Sequence, residues 1–332
     1  METIQALLAQ DVDGKSVTSL RELNIGDLPD EPVTVRVEYS ALNYKDSLAL
    51  CGNRNKVMKS LPFIPGIDLA GEVIDSRSDQ FQNGQKVVAT GWGLGERHWG
   101  AYTSLARLRP EWLTPLPEGL STRRAMALGT AGLTALLAVD ALEEGGVRPF
   151  NGDILVTGAS GGVGSLALSF LARRGYNAVA LTGKPERQQE LLALGAKSVL
   201  PREDLDRDPK PLEAERWAGV IDTVGGRIMA SALAQIKQGG VMSACGLAAN
   251  PSLPTTVLPF ILRGVRLQGI DSVYVHADRR PQLWQTLHDL TREQDLDSVI
   301  HEIDLTQVTE IASNMLAGRT YGRTVIRIAG EN

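Results

Sequence analysis

The pattern of apolar and polar positions changes character near residue 120. Before that point the chain alternates short runs of period two with glycine and proline punctuation. Val33-Thr34-Val35-Arg36-Val37-Glu38-Tyr39 turns its valines to one side and polar residues to the other, as a half-buried strand does. Gly71-Glu72-Val73-Ile74 and Lys86-Val87-Val88-Ala89 follow, the latter behind an Asn83-Gly84 turn. Several short strands without a long helical period predict an all-β, barrel-like unit.

Beyond residue 120 the period lengthens. Ser121 is a good N-cap, and Arg123 to Glu144 reads as one or two helices rich in Ala, Leu and Met. From Asp153 the order becomes strand, glycine turn, helix, strand. Ile154-Leu155-Val156-Thr157 is a buried strand, Val163 to Gly175 a helix and Ala178-Val179-Ala180-Leu181 the second strand. Gln188 to Leu194 is a helix closed by Gly195, and strands are expected at Ser198–Leu200, Gly219–Val224 and Val241–Ala244. Such alternation implies parallel βαβ units in a doubly wound α/β domain. After Gly269, Pro281 to Thr291 reads as a helix and Arg323 to Ile328 as a strand expected to return to the first unit. At 332 residues two domains are expected, a discontinuous one over 1–122 and 270–332 and a second over 123–269.

Composition narrows the class. With 43% hydrophobic and 22% charged residues the bulk of the chain should fold, and a net charge of −5 argues against nucleic acid or an anionic membrane as partner. Cys51 and Cys245 are the only cysteines, too few for a four-cysteine zinc lobe and fitting a reduced, cytoplasmic protein. No secretory signal is evident at Met1 to Gln10. The most apolar stretch, Ala125 to Val139, is too short for a bilayer at ~20 residues and reads as a buried helix.

Gly158, Gly161 and Gly164, with Gly162 in addition, fall between the strand at Ile154 and the helix at Val163. A Cβ there would obstruct the turn, the approach of backbone to a pyrophosphate and the helix–strand packing. Ser160, Gly161, Gly162 and Val163 would then present the helix N-terminus to the anion. A turn that binds nothing is the bland alternative. At the end of the second strand an NAD site usually carries Asp or Glu, whereas this chain reads Thr182-Gly183-Lys184-Pro185-Glu186-Arg187. Lys184, with Arg187 and with Arg202 just past the third strand, could neutralise a 2′-phosphate, although each could also be a solvated surface charge. The cofactor expected is NADPH.

On these residues the whole chain resembles the medium-chain dehydrogenase/reductase superfamily. The matching segments are Ala41-Leu42-Asn43-Tyr44-Lys45-Asp46, Pro65-Gly66-Ile67-Asp68-Leu69-Ala70-Gly71-Glu72-Val73, Gly129-Thr130-Ala131-Gly132-Leu133-Thr134-Ala135 and the glycine loop. The first is similar to the SxxNYKD segment of the quinone-oxidoreductase-like branch. With Gly91-Trp92-Gly93, Ile221-Asp222-Thr223-Val224-Gly225 and Leu253-Pro254-Thr255-Thr256-Val257, the chain resembles the acrylyl-CoA reductase (NADPH) family more closely still. The resemblance implies a GroES-like β-barrel catalytic domain and a Rossmann domain, an active site in the cleft between them, and a homodimer. Zinc-dependent relatives carry a Cys near the position of Asn43 to Asp46 and Gly-His-Glu after the proline. Here the text is Gly66-Ile67-Asp68, and His98, His276, His288 and His301 show no ligand spacing, so no metal is expected.

Without a Lewis acid, reduction of an activated C=C bond is easier to arrange than reduction of a carbonyl. The resemblance implies a short α,β-unsaturated acyl-CoA, such as acrylyl-CoA, as the substrate. The resemblance places Tyr44 in a loop beside the nicotinamide as the candidate proton or hydrogen-bond donor, against its alternative as a packing residue. Asn43 and Asp46 would orient nicotinamide or substrate, or else cap a turn or helix; Lys45 would be solvated. Cofactor contacts are also carried over to Thr130, Thr134, Gly246, Leu247, Ile261, Ser272 and Arg323. A Cys245 nucleophile is conceivable, but a cysteine in an apolar strand is usually core. Arg54, Lys56, Lys59 and Arg97 are loop cations that could dock the phosphates of CoA. A quinone or enone reductase, and a non-catalytic NADPH sensor, are the competing readings.

Overall fold

The computed structural model describes residues 3–51, 57–291 and 296–328. The chain divides into two compact units, Met1–Thr130 with Val273–Asn332, and Ala131–Ser272. In chain order the first unit begins with β1 (Thr3–Val12), β2 (Lys15–Asn24), β3 (Val33–Leu42), α1 (Tyr44–Cys51), β4 (Asp68–Ser76), β5 (Lys86–Thr90), β6 (Leu105–Leu108) and β7 (Thr114–Pro115). Helix α2 (Thr122–Glu144) carries the chain onward. The second unit contains β8 (Ile154–Thr157), α3 (Gly162–Arg173), β9 (Ala178–Thr182), α4 (Gln188–Ala193), β10 (Ala196–Pro201) and β11 (Trp217–Asp222). It ends with α5 (Gly226–Leu233), β12 (Ile236–Ala244), α6 (Leu258–Arg263) and β13 (Arg266–Gly269). The return to the first unit supplies α7 (Arg280–Asp289), β14 (Ile300–Asp304), α8 (Val308–Leu316) and β15 (Arg323–Arg327).

The period-two pattern of β3 does what it predicts. Val33, Val35 and Val37 are fully buried in a cluster with Leu69, Val73, Val87 and Trp112, each valine contributing roughly 1.5–3 kcal/mol by burial. The sheet runs β14-β15-β3-β4-β5-β7, with β6 also on β3, and β1 and β2 form a separate hairpin. Its other cluster joins Leu42 and Ile326 to Val308 and Ala312 of α8. The C-terminal strand does return: β15 pairs antiparallel with β3 in the register Thr324↔Leu42. That register brings Arg323 level with the residues just after β3.

Ser121 caps α2, its carbonyl accepting from Ala125 N–H at 2.8 Å and its Oγ from Arg124 N–H at 3.2 Å. The helix is two segments, broken at Gly129, where φ is 49° and ψ −152°. At 23 residues it is longer than the apolar stretch suggested and has the length and composition to cross a membrane. Its most apolar window is 78% buried inside the structure, which marks a core helix.

The second unit's sheet has the order β10-β9-β8-β11-β12-β13, every pair parallel. The order turns between β8 and β11, the switch point at which open α/β sheets bind ligands beyond their carboxyl ends. The amphipathic run of α5 buries Ile228, Met229, Ala232 and Leu233 against the sheet's Leu155, Val220 and Met242.

Candidate active site

In the first unit the site begins at a helix end. Asn43 is the N-cap of α1: its carbonyl accepts from Ser47 N–H at 3.1 Å, and the carboxylate of Asp46, at the third helical position, reaches back to accept from Asn43 N–H at 2.9 Å. This is the reciprocal half of a capping box. The segment expected as a loop is therefore the first turn of a helix, with Asp46 folded back to satisfy the N–H of the cap residue. Tyr44 follows the cap and is half-buried, its hydroxyl without a hydrogen-bond partner among the described residues. Lys45 is ion-paired with Glu96 at 2.9 Å rather than simply solvated.

Behind this turn lies a closed polar network, centred on the fully buried Asp68 at the start of β4. One Asp68 oxygen accepts from Asn43 Nδ2 at 3.0 Å and from Thr130 N–H at 2.8 Å, and the other from the Thr130 hydroxyl. Asp46 also accepts from Ile67 N–H at 3.0 Å. Arg323, only 3% exposed, donates to Asn43 Oδ1 at 3.0 Å and to the carbonyls of Ala127 and Met126 at 2.9 and 3.3 Å. Gly129 lets the chain come this close: a Cβ there would stand 2.6 Å from an Asp68 oxygen. A second buried guanidinium, Arg280, binds Thr90 Oγ1 at 2.9 Å, and Thr90 is the ladder partner of Asp68.

The charges shift accordingly. Burial, opposed by the hydrogen bonds from Asn43 and reinforced by the neighbouring Asp68, pushes Asp46 up to about 7. Burial also raises Asp68, against the hydrogen bonds from Thr130 and the field of Arg323. Burial lowers the guanidinium of Arg323, while Asp68 and Asp46 pull it back, and it lowers Arg280 to about 10. Each ion is tolerable because all have partners; removing one would strand another in a dry interior.

In the second unit the glycine loop closes the switch point. Thr157 Oγ1 donates to Asp222 Oδ1 at 2.7 Å and accepts from Thr223 N–H at 3.0 Å, stapling the ends of β8 and β11. Gly158 has φ +59°, and a Cβ on it would lie 2.3 Å from Thr223 Oγ1; one on Gly164 would lie 2.5 Å from Gly158 O. The first rung of α3 is Ser165 N–H to Gly161 O, so the N–H groups of Gly162, Val163 and Gly164 precede the helix ladder and face the loop mouth. These free donors, with a cradle that side chains would fill, fit a dinucleotide diphosphate. A chain of hydrogen bonds ties the loop to the next strand end: Thr182 Oγ1 donates to Ser160 Oγ at 2.9 Å and accepts from Lys184 N–H at 3.1 Å. Lys184 is half-buried, and burial lowers its ammonium. Arg187 is paired with Glu190, and Arg202 with Asp206, each at 2.9 Å.

The remaining expected contacts form separate groups. Gly246 and Leu247 line a cavity of about 440 Å³ with Cys245, Gly269, Ile270 and Asp271, while Thr134 and Ser272 share a 2.7 Å hydroxyl pair. Ile261 is 68% exposed on α6 and joins neither group. The Cys245 thiol donates to Asp222 O at 3.4 Å, and burial pushes it up to about 12, which disfavours the thiolate a nucleophile needs. Of the loop cations, Lys59 and Arg97 are exposed, and Arg54 and Lys56 lie outside the described residues. His98 packs on Trp112 and His301 on Tyr321. Among the described residues no three His, Cys, Asp or Glu are grouped to hold a metal ion. Sequence reasoning missed Asp68, Arg280, Thr157 and Asp222. The signal for Asp68 was available, since a carboxylate stands directly between the apolar runs Pro65-Gly66-Ile67 and Leu69-Ala70.

A doubly wound sheet with a glycine cradle at its switch point, in one chain with a mainly antiparallel unit holding a buried Asp/Arg network, defines a two-unit nicotinamide-dependent oxidoreductase. Residues 29–118 match the alcohol dehydrogenase GroES-like domain, and residues 162–300 match the family described as zinc-binding dehydrogenase. The chain is 46% identical over 317 residues to the acrylyl-CoA reductase AcuI of Ruegeria pomeroyi, covering 95% of this chain and 96% of that one. Its fold superposes on the YhdH oxidoreductase of Salmonella enterica in complex with NADP with a TM-score of 0.95, at 46% identity over 98% of this chain and 100% of the other. The Bacillus subtilis protein YhfP with NAD bound gives a TM-score of 0.93 and 40% identity over the same shares. The chain belongs to the medium-chain dehydrogenase/reductase family.

The Asp46 shift predicts a pH dependence. The folded protein holds this proton more tightly than the unfolded chain, whose carboxyl titrates near 3.8. The stabilisation is therefore full below that value and is lost as pH rises through about 7. Wild-type unfolding free energy should fall between about pH 4 and pH 7 by a component, at most about 1.4 kcal/mol per pH unit, that Asp46→Asn lacks. Denaturant unfolding at several pH values measures it, and parallel profiles for the two proteins would refute the shift.

Proposed function

We propose that the chain is an NADPH-dependent reductase of the C=C bond of a short α,β-unsaturated acyl-CoA, converting acrylyl-CoA to propionyl-CoA without zinc. The observation that carries the cofactor half is the glycine cradle tied through Ser160 and Thr182 to Lys184, where an NAD site would carry a carboxylate. The substrate half is supported by the 46% identity to an acrylyl-CoA reductase across almost the whole chain. The zinc-free reading is supported by what occupies the expected ligand positions. Asn43, Asp46 and Asp68 stand there, their acceptors taken up by main-chain N–H groups, Thr130 and a guanidinium.

Bound NADPH would supply the hydride for the β-carbon of the unsaturated thioester, leaving NADP+, and the α-carbon of the enolate would then take a proton delivered from solvent. The N–H groups at the start of α3 hold its diphosphate, and Lys184 with Arg202 faces its 2′-phosphate. The α2 segment with Thr134, the β12 end at Gly246 and Leu247, Ser272 and Ile261 belong to the nicotinamide half. Addition to an enoyl thioester places negative charge on the thioester oxygen, so without a metal a hydrogen-bond donor must meet it. Tyr44 is that donor: its hydroxyl is uncommitted, while Asn43, Asp46, Thr130 and Arg323 are engaged with one another. Those four act by position, fixing the turn that presents Tyr44. The exposed loop cations Lys59 and Arg97 favour the phosphates of CoA.

We further propose a cytoplasmic homodimer. The two cysteines are unpaired, and among the described residues β13 pairs only with β12, leaving an exposed edge flanked by Val257, Ile261 and Leu262 on the surface. A native mass twice the 35.7 kDa of the chain is expected in light scattering, and a monomer at micromolar concentration would reject the assembly.

The activity is tested by following NADPH consumption with acrylyl-CoA, crotonyl-CoA and a simple benzoquinone, for the wild type and Tyr44→Phe. Acrylyl-CoA should be reduced, and loss of the phenol should lower its turnover by about 10²–10⁴-fold with NADPH affinity nearly unchanged. Turnover of the quinone alone would replace the acyl-CoA reading, and no turnover at all beside tight NADPH binding would favour a sensor. An unaltered rate in Tyr44→Phe would remove Tyr44 from the chemistry.

A further inference from the structure

The second unit holds another cavity, about 330 Å³, whose charge the Ser160–Thr182–Lys184 chain does not explain. It is lined by Arg202, Asp206, Arg227, Ile228, Asn250 and Ser252 among others. Arg202 and Arg227 come from different elements, the turn after β10 and the first turn of α5, and a single carboxylate joins them. Asp206 Oδ2 accepts from Arg202 Nε at 2.9 Å, and its Oδ1 accepts from Arg227 Nη2 at 3.2 Å. Both guanidinium groups remain about half exposed, at 47% and 53%, while Asp206 is 26% exposed. The other partner of Arg227, Asp208, is 3.5 Å away and almost fully exposed, so solvent screens it. Arg202 gives Nε and Nη2 to Asp206, and Arg227 gives Nη2 to Asp206 and Nη1 to Asp208, yet each guanidinium carries five N–H donors and so keeps some beyond those the carboxylates take.

The position of this pair connects it to the cofactor's adenosine end. The stem of Arg202 runs alongside Gly183, where an added Cβ would meet its Cδ at 3.4 Å, so Arg202 starts at the same strand end as Lys184. Arg227 follows β11, the strand that shares the switch point with the glycine loop. Two cations fixed by one strut, at the carboxyl edge of this sheet, match a dianionic phosphate ester that accepts from two guanidinium groups. We infer that Arg202 and Arg227, spaced by Asp206, clamp the 2′-phosphate of NADPH, and that Arg227 is thereby a determinant of NADPH over NADH. This rests on the NADPH reading above.

The test uses the full chain with Arg227→Gln and Arg227→Lys. Dissociation constants are measured for NADPH and NADH by nicotinamide fluorescence, and for 2′-AMP and 5′-AMP by competition, with thermal unfolding as a control for folding. Arg227→Gln should weaken NADPH and 2′-AMP about tenfold and leave NADH and 5′-AMP within about twofold. Arg227→Lys should recover part of the loss. Equal weakening of both dinucleotides, or no change in either, overturns the clamp, because the arginine would then hold the adenine or nothing. A wild type that binds NADPH and NADH equally overturns the NADPH reading itself, and the clamp falls with it.

Discussion

A carboxylate that is fully buried must be met by donors, and much of the first unit is arranged around meeting those of Asp68 and Asp46. Asp68 draws in Thr130, whose main chain can approach only because Gly129 breaks the helix, and Asn43, which caps α1. Arg323 then binds Asn43 and two carbonyls of α2, and it reaches them because β15 comes back from the far end of the chain to pair with β3. Four distant segments are thus held in one place by ions that no longer have water. Such a network adds little net stability over an apolar core, but breaking it at any one member leaves a buried charge unpaired. Its product is geometric: the turn carrying Tyr44 has little freedom.

The second unit solves a different problem with the same economy of parts. A parallel sheet leaves its strand ends open at the switch point, and here Thr157, Asp222 and Thr223 close that opening from below while the glycines shape it from above. The free N–H groups at the start of α3 are obligatory features of any helix end. What gives them a use is the absence of side chains around them, and the next strand end carries Lys184 where an NAD site usually carries a carboxylate.

The parts of this arrangement legible in the sequence were those set by local pattern. The valines of β3, the Ser121 cap, the strand at Ile154 and the glycine spacing each carry their own physical reason within a few residues. The segment around Tyr44 was not read as a helix, because its eight residues mix polar and apolar positions without a clear face, and its cap depends on Asp46 folding back. Asp68 and Arg280 escaped notice for a different reason. Their roles come from partners on segments distant in sequence, and no spacing rule encodes a contact between residues 68 and 130 or between 90 and 280. The pairing of Arg202 with Arg227 through Asp206 was invisible in the same way.

The proposal that the reaction runs without a metal rests on Asn43, Asp46 and Asp68, which stand where zinc relatives place ligands and are engaged by main-chain N–H groups, Thr130 and Arg323. It is tested most directly by measuring turnover of acrylyl-CoA with NADPH after exhaustive chelation, with the zinc content of the same sample determined by mass spectrometry. The account predicts an undiminished rate at far less than one zinc per chain and no gain on adding zinc back. A rate that falls with the zinc content and returns with added zinc would contradict it.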